Sequence, residues 1–330
     1  METESENAVM TAHNIERIDG IDRTNPCPTI EKETMTVPSM RKADLHVHTD
    51  AGYDEYGFGK RKLKFYGTMD PLSVYRLAKE RGMDYVTFTD HNTLDGVKRL
   101  EDALNGLPAD FFPSVEITTH HPSFPSEIHV NAYNITREQH EESQRLRPDV
   151  RELTAYLGRE RVLYSWEHLA DDTGAKQIDP RLVGELMPLF PTVQVINGLD
   201  LPRLNAIASR FAHEHGKPMI AGSDSHTDRV GMTYTKGVGD DPRGFLESIA
   251  RGECEAAGEH GTHERFVRHI LTIVQHNFGK FAKEELNAFK RGVYSLLHTA
   301  SPRIVPGFVR LYHSLQERSY GALDRDGGYA

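Results

Sequence analysis

From Lys42 onward the apolar residues fall into short runs separated by stretches of helical period. Ala43–His48, Tyr85–Thr89, Phe111–Ile117, Ile128–Tyr133, Val162–Ser165, Val193–Ile196 and Met219–Ala221 are short and bounded by polar residues, and they read as strands. Pro71–Arg81 places Leu72, Tyr75, Leu77 and Ala78 on one side of a helix. Leu94–Leu104, a charged stretch from Arg137, Pro180–Leu186, Leu201–His215 and Pro242–Arg251 also read as helices. Short strands alternating with helices over about 210 residues predict α/β architecture built of parallel βα units, and their number favours a barrel or near-barrel over an open sheet. The site of such a fold lies at the C-terminal ends of its strands.

The two ends of the chain differ from this body. Residues 1–40 are polar, lack both periods and are broken by Gly20, Pro26, Pro28 and Pro38, which predicts a disordered arm. Residues 261–330 hold three helical stretches, near Glu264–His276, Lys283–His298 and Val305–Ser319. Phe266, Val267, Ile270, Leu271, Ile273 and Val274 cover most of a helix circumference, so this extension is expected to pack on the body or on a partner. The expected division is therefore an arm to residue 40, a body over 41–260 and a helical extension from 261.

Composition narrows the function. Hydrophobic residues make up 38% and charged residues 27%, as in ordinary globular proteins. No apolar run is long enough to cross a bilayer and the start is acidic and polar, so a cytoplasmic location without membrane attachment is expected. Only Cys27 and Cys254 are present, in no metal-binding spacing, so any metal must be held by His and carboxylate. A net charge of −10 argues against nucleic acid as a partner and suits a site that concentrates divalent cations. The charge is uneven: residues 262–330 carry ten Lys/Arg against six Asp/Glu. That basic extension leaves three roles open: a cap on the body, a homo-oligomer contact or a contact with an anionic partner.

The chemistry gathers at the predicted strand ends. His46 and His48, two apart on a strand, face one way and can reach one point. Thr89-Asp90-His91-Asn92 closes the second strand, and Glu116 ends the third. His129 lies in the fourth strand and His168 just after Val162–Trp166. Ser223-Asp224-Ser225-His226 follows Met219–Gly222. Each is a His or carboxylate at the top of a strand. His120 and His121 sit in a Thr/Pro/Ser-rich loop and are expected at the surface, His213 and His215 at a helix end, and Trp166 in the core or a pocket wall.

The blocks Asp44–Thr49, Phe88–Asn92, Glu116 with Glu127–His129, and Ser223–His226 resemble the ordered motifs of the polymerase and histidinol phosphatase (PHP) superfamily, over about residues 42–260. The resemblance implies a distorted seven-stranded βα barrel with two or three divalent ions (Mn²⁺, Zn²⁺ or Fe²⁺) and hydrolysis of phosphomonoesters or phosphodiesters. It implies that His46, His48, Glu116 and Asp224 hold a first ion, that Glu116 bridges to a second held with His129 and His168, and that a third takes His91, His226 and an acid just after the first motif. Asp54 fits that last place by spacing, with Asp50 as its substitute. The loop Asp50–Tyr66 is longer and more basic than the compact family pattern, and His168 stands in Trp-Glu-His-Leu rather than an Asn-His-Pro-like setting.

A carboxylate-bridged ion pair lowers the pKa of water toward neutrality and neutralises phosphate oxygens that repel a nucleophile. His168 or His226 is then the candidate proton donor to the leaving group, and Asp90 the candidate that orients His91. Arg61 and Lys62, in the basic run after the first motif, and Arg229 are the candidates for gripping the phosphate of a small phosphorylated substrate. Two other readings keep the fold: attack on a carbamate or carboxylic ester, as in carbaryl-hydrolase-like relatives, and a non-catalytic binding domain.

Overall fold

The computed structural model describes residues 39–58, 61–123, 127–170, 180–284 and 287–325, and the expected arm lies outside them apart from residues 39 and 40. The elements run β1 (Arg41–Ala43), β2 (Tyr53–Phe58), β3 (Arg61–Tyr66), α1 (Pro71–Glu80), α2 (Asp95–Leu104), β4 (Ser114–Thr119), β5 (Ile128–Tyr133), α3 (Arg137–Leu146), α4 (Val150–Arg159), β6 (Leu163–Trp166) and α5 (Pro180–Leu186). They continue as β7 (Thr192–Asn197), α6 (Pro202–Glu214), β8 (Met219–Gly222), β9 (Thr233–Gly237), α7 (Pro242–Ala250), β10 (Cys254–Gly258), α8 (His263–Glu284) and α9 (Ala288–Arg325).

The architecture is mixed α/β around a five-stranded sheet of order β4-β5-β6-β7-β8. Its strands are not all parallel: β4, β5 and β6 pair antiparallel, and β6, β7 and β8 parallel. The β4–β5 connection, residues 120–127, is too short for the dozen or so residues that a parallel crossover needs. A second sheet orders β1-β9-β10, and β2 and β3 form a separate antiparallel hairpin where the sequence suggests a loop. The described pairing does not close a barrel. The runs expected as strands at 43–48 and 85–89 are joined to the rest mainly through single parallel bridges, Ala43 to Tyr85, Val47 to Ser225, Val86 to Phe111 and His91 to Glu116.

Local chemistry sets the helix ends that frame these strands. Asp70 accepts the Ser73 amide at 3.1 Å and Pro71 follows at the first helical position of α1. Thr136 and Gln139 form a reciprocal capping box at α3. The largest core cluster packs the inner side chains of β4–β7 against α4, α5 and α6, with Trp166 against Phe190 at 4.8 Å between ring centres. Trp166 is thus a core residue.

The extension contains two described helices rather than three, because Pro302 and Pro306 lie inside α9. A proline at 302 cannot donate to the His298 carbonyl, and the buried Ser301 hydroxyl does so instead at 2.8 Å, which lets the helix run on. Phe289, Leu296, Ile304, Phe308 and Leu311 are exposed on α9. Among the described residues no helix is long and apolar enough to cross a membrane.

Candidate metal centre

His46 and His48 follow β1 with the buried Val47 between them, and the extended backbone turns both imidazoles to one face. Their Nε2 atoms lie 3.0 and 3.1 Å from Glu116 Oε2, and 3.4 and 3.2 Å from Asp224 Oδ1. Glu116, in the middle of β4 and fully buried, faces three more imidazoles. His91 Nδ1 lies 3.3 Å from its Oε2, and His129 Nδ1 and His168 Nε2 lie 3.1 and 3.2 Å from its Oε1. Asp54, on β2, spans the other end, 2.8 Å from His91 Nε2 and 3.1 Å from His226 Nε2. The structure therefore brings together all nine proposed donors: His46, His48, Asp54, His91, Glu116, His129, His168, Asp224 and His226. Asp50 is elsewhere, paired with Arg99 at 2.6 Å.

Donors that share one ion at about 2.1 Å stand about 3.0–3.4 Å apart, which is the spacing most of these atoms show. Among the described residues three sets have ligand atoms within 4.8 Å of one another: His48, His91 and His226; His46, His48 and Asp224; and His46, Glu116 and His168. Nε2 of His48 and Nε2 of His226 are buried without a hydrogen-bond partner among the described residues, although carboxylate oxygens lie within 3.2 Å of both. Buried polar atoms are normally hydrogen-bonded. Close approach without hydrogen-bond alignment is what donors aimed at a common cation show, so the residues present fit divalent ions.

Electrostatics match this arrangement. Burial disfavours ionisation of Glu116, Asp54 and Asp224, but the surrounding imidazoles hold all three well below the usual carboxylate range. Burial likewise opposes charge on His129 and His226, yet facing Glu116 raises His129 to about 10 and facing Asp54 raises His226 to about 9. His48 goes the other way, lowered by burial and by its neighbours His226 and His91.

The surrounding shell aims the donors. Glu167 Oε2 lies 3.1 Å from His46 Nδ1, both side chains fully buried, and its Oε1 accepts from Tyr133 at 3.3 Å and from the Ser165 hydroxyl. A carboxylate this close draws the proton to Nδ1 by its charge, where Gln194 also presents its amide oxygen at 3.4 Å and nitrogen at 3.1 Å, and so favours the tautomer that leaves the Nε2 lone pair for the centre. Gln194 accepts the His168 amide at 3.1 Å, and Asn197 donates to Asp224 Oδ2 at 3.0 Å. Sequence reasoning passed over all three. Only Glu167 carried a signal, as an acid beside His168 at a strand end. Asp44, raised to about 6 by burial, accepts the amides of His46, Ser223 and Gly231 and ties the first motif to the last. Gly222 lets those strands touch: a Cβ there would stand 2.4 Å from His46 Cβ.

Other sequence candidates land differently. Asp90 does not orient His91; it accepts from the Thr49 amide at 2.7 Å and hydroxyl at 2.8 Å, and so holds the loop after His48. Arg229 is bound to Glu259, which Arg265 also meets at 3.0 Å, so its guanidinium is engaged by protein rather than offered to a phosphate. The side chains of Arg61 and Lys62 lie outside the described residues. His121 is buried rather than exposed, because its Nδ1 accepts the Ser123 amide at 3.2 Å and turns the ring inward.

The family model described as PHP-associated matches residues 202–254, from α6 to the start of β10. A stretch of 65 residues, 18% of this chain, is 43% identical to an uncharacterized protein of Methanocaldococcus jannaschii, and it spans 36% of that protein's length. Among solved structures, a protein assigned as a metal-dependent phosphoesterase from Bifidobacterium adolescentis is 14% identical with a TM-score of 0.42, covering 65% of this chain and 98% of that one. A lesion-specific endonuclease from Pyrococcus furiosus is 16% identical with a TM-score of 0.45, covering 66% and 58%. An amidohydrolase from Chromobacterium violaceum is 14% identical with a TM-score of 0.42, covering 65% and 97%. Structural likenesses this distant carry no argument about activity. In the PHP-associated segment and in the ordered His, Asp and Glu blocks that meet around Glu116, the chain is similar to the polymerase and histidinol phosphatase superfamily.

Proposed function

We propose that this protein is a metal-dependent hydrolase of small phosphodiesters or phosphomonoesters, with two or three divalent ions held by the nine donors. The observation that carries the reading is Glu116, whose two oxygens face different imidazole groups within 3.3 Å, as a carboxylate shared by adjacent ions does. Such ions, when bound, supply a lowered water pKa and charge neutralisation at phosphate oxygens. Manganese, zinc and iron all suit an imidazole-rich set with carboxylates.

The chain's own residues do the aiming. Glu167, 3.1 Å from His46 Nδ1, favours the proton at that nitrogen, Asn197 holds Asp224, and His226 Nδ1 lies 3.2 Å from the Asp224 carbonyl, which orients Nε2 toward Asp54. His168 and His226 both turn Nε2 into donor sets, which favours them as ligands and leaves protonation of the leaving alkoxide to solvent. Arg61 and Lys62 lie on the hairpin that bears Asp54, so our reading keeps them as phosphate contacts at the mouth of the site. Finer architecture follows the same logic. The single bridges seat the 43–48 and 85–91 segments between β8 and β4, which supports a distorted seven-stranded ring as the body, with the helices after 261 as its extension.

The test is hydrolysis by purified, metal-quantified protein with Mn²⁺ added, comparing bis-p-nitrophenyl phosphate and p-nitrophenyl phosphate with p-nitrophenyl acetate. Turnover of a phosphate ester that chelation abolishes is expected. Turnover of the acetate alone, or less than one tightly held ion per chain, overturns the reading.

A further inference from the structure

Asp54 is the one donor carried by an excursion from the body, the β2–β3 hairpin, and that hairpin is held by α8, the first helix of the C-terminal extension. Within the hairpin Asp54 pairs directly with Phe65, so both side chains stand on the same face. Phe65 is buried against Ile273 and Phe278 of α8, with its ring 5.5 Å from that of Phe278 and 6.1 Å from that of Phe281. At the next residue the outer edge of β3 meets Asn277, whose side chain is completely buried. The Tyr66 amide donates to Asn277 Oδ1 at 3.0 Å, and Asn277 Nδ2 donates to the Tyr66 carbonyl at 2.9 Å. One side-chain amide thus takes the place of a neighbouring strand and satisfies both backbone groups of an edge residue. Its second Nδ2 proton goes to the Ile273 carbonyl at 2.9 Å, which locks the amide to its own helix.

The same helix reaches the partner of Asp54. His269 lies with its Nδ1 3.3 Å from the Thr227 hydroxyl and its ring 5.7 Å from that of His226. Thr68, just past the hairpin, donates its amide to the His226 carbonyl at 2.9 Å. Helix α8 therefore braces both the hairpin that carries Asp54 and the loop that carries His226.

We infer that Asn277 is a positioning residue for the metal centre: through Tyr66 it sets the hairpin at the distance that brings Asp54 to His91 and His226, so occupancy at that end depends on the C-terminal extension. The inference rests on the reading of the nine residues as metal donors. It gives the extension a part in completing the site, beyond packing on the body.

The experiment strips the full-length protein with a chelator and titrates it with Mn²⁺ by calorimetry and with Co²⁺ by visible absorption. Wild type is compared with Asp54→Asn, Asn277→Ala and Asn277→Gln, and amide hydrogen exchange is followed over residues 53–68. Asn277→Ala is expected to weaken one ion by about 10- to 100-fold, the range for residues that orient ligands. It should leave the remaining ions and the body's exchange unchanged, match Asp54→Asn in the ion affected, and speed exchange at Tyr66. Asn277→Gln, which keeps donor and acceptor, should recover part of the loss. Should the alanine variant fail to accumulate, Asn277→Asp, which keeps the shape and loses the donor, is read in the same way. If Asp54→Asn loses an ion while Asn277→Ala, or its Asp substitute, binds every ion as wild type does, the positioning role is overturned and the metal reading stands. If wild type takes up no ion, both fall together.

Discussion

Glu167→Gln isolates how this site chooses the tautomer of His46. The substitution keeps volume and leaves an oxygen to accept from Tyr133 and Ser165, so packing around the fully buried side chain is preserved. It replaces the carboxylate oxygen 3.1 Å from His46 Nδ1 with a group that also donates. Gln194 already places its amide nitrogen 3.1 Å and its amide oxygen 3.4 Å from that atom, so His46 would lose its charged neighbour and face a second amide nitrogen. The favourable response is to move the imidazole proton to Nε2, which removes the lone pair aimed at Glu116 and Asp224. The attraction of a buried N–H to a charged group at this distance is of the order of a charge-assisted hydrogen bond, about 1.5–3 kcal/mol or roughly one to two powers of ten. The same range, about 10- to 100-fold, is typical when the partner of a metal-ligating histidine is lost. Mn²⁺ affinity of the chelator-stripped protein and kcat on bis-p-nitrophenyl phosphate should therefore fall together by that factor, with Tm little changed. Affinity and kcat both within about threefold of wild type would refute the tautomer argument.

Four further outcomes are expected. In the metal-free protein His129 and His226 are held at about 10 and 9, so they carry protons at pH 7 that ions must displace. Apparent metal affinity should rise with pH up to that range, and uptake at pH 7 should release protons, read by calorimetry in buffers of different ionisation enthalpy. The same raised values stabilise the metal-free fold fully below about 6.5 and lose that contribution as pH rises through 9–10, so its Tm should fall over this interval while the loaded protein's does not. Gly222→Ala forces a Cβ to within 2.4 Å of His46 Cβ; thermal unfolding should show a loss of about 1–3 kcal/mol, and metal binding should weaken with it. Replacing Arg61 and Lys62 together by Ala should raise KM for a phosphate ester several-fold with little change in kcat, and an unchanged KM would remove them from substrate binding.

Much of the body was legible because local signals agreed with tertiary structure. Ile128–Tyr133 and Pro180–Leu186 are strand and helix at the residues their hydrophobic runs mark. Most of the donors were legible as candidates for the same reason, since they stand in or just past an apolar run, whereas Asp54 was reached only by its spacing from the first motif. What the chain hid depends on contacts across long stretches of sequence. The β2–β3 hairpin reads as a basic loop, because its pairing is braced by Asn277, 211 residues away from Tyr66. Gln194 near His46, and Asn197 on Asp224, carry no motif of their own. The prolines of α9 read as breaks, since a buried hydroxyl that relieves one is invisible to periodicity. Asp90 shows the converse: beside His91 in sequence, it faces Thr49 in space.

The parallel bridge between Val47 and Ser225, with the Asp224 amide on the His46 carbonyl at 2.8 Å, sets the earliest donors against the latest. About 180 residues separate them, which a ribosome elongating at 5–20 residues per second takes about 10–35 s to add. During that interval His46 and His48 wait without Asp224 or His226, and only weak, incomplete chelation is open to them. Ion capture is therefore a late event in the life of each new chain, a seal set on a finished body rather than a seed around which it grows.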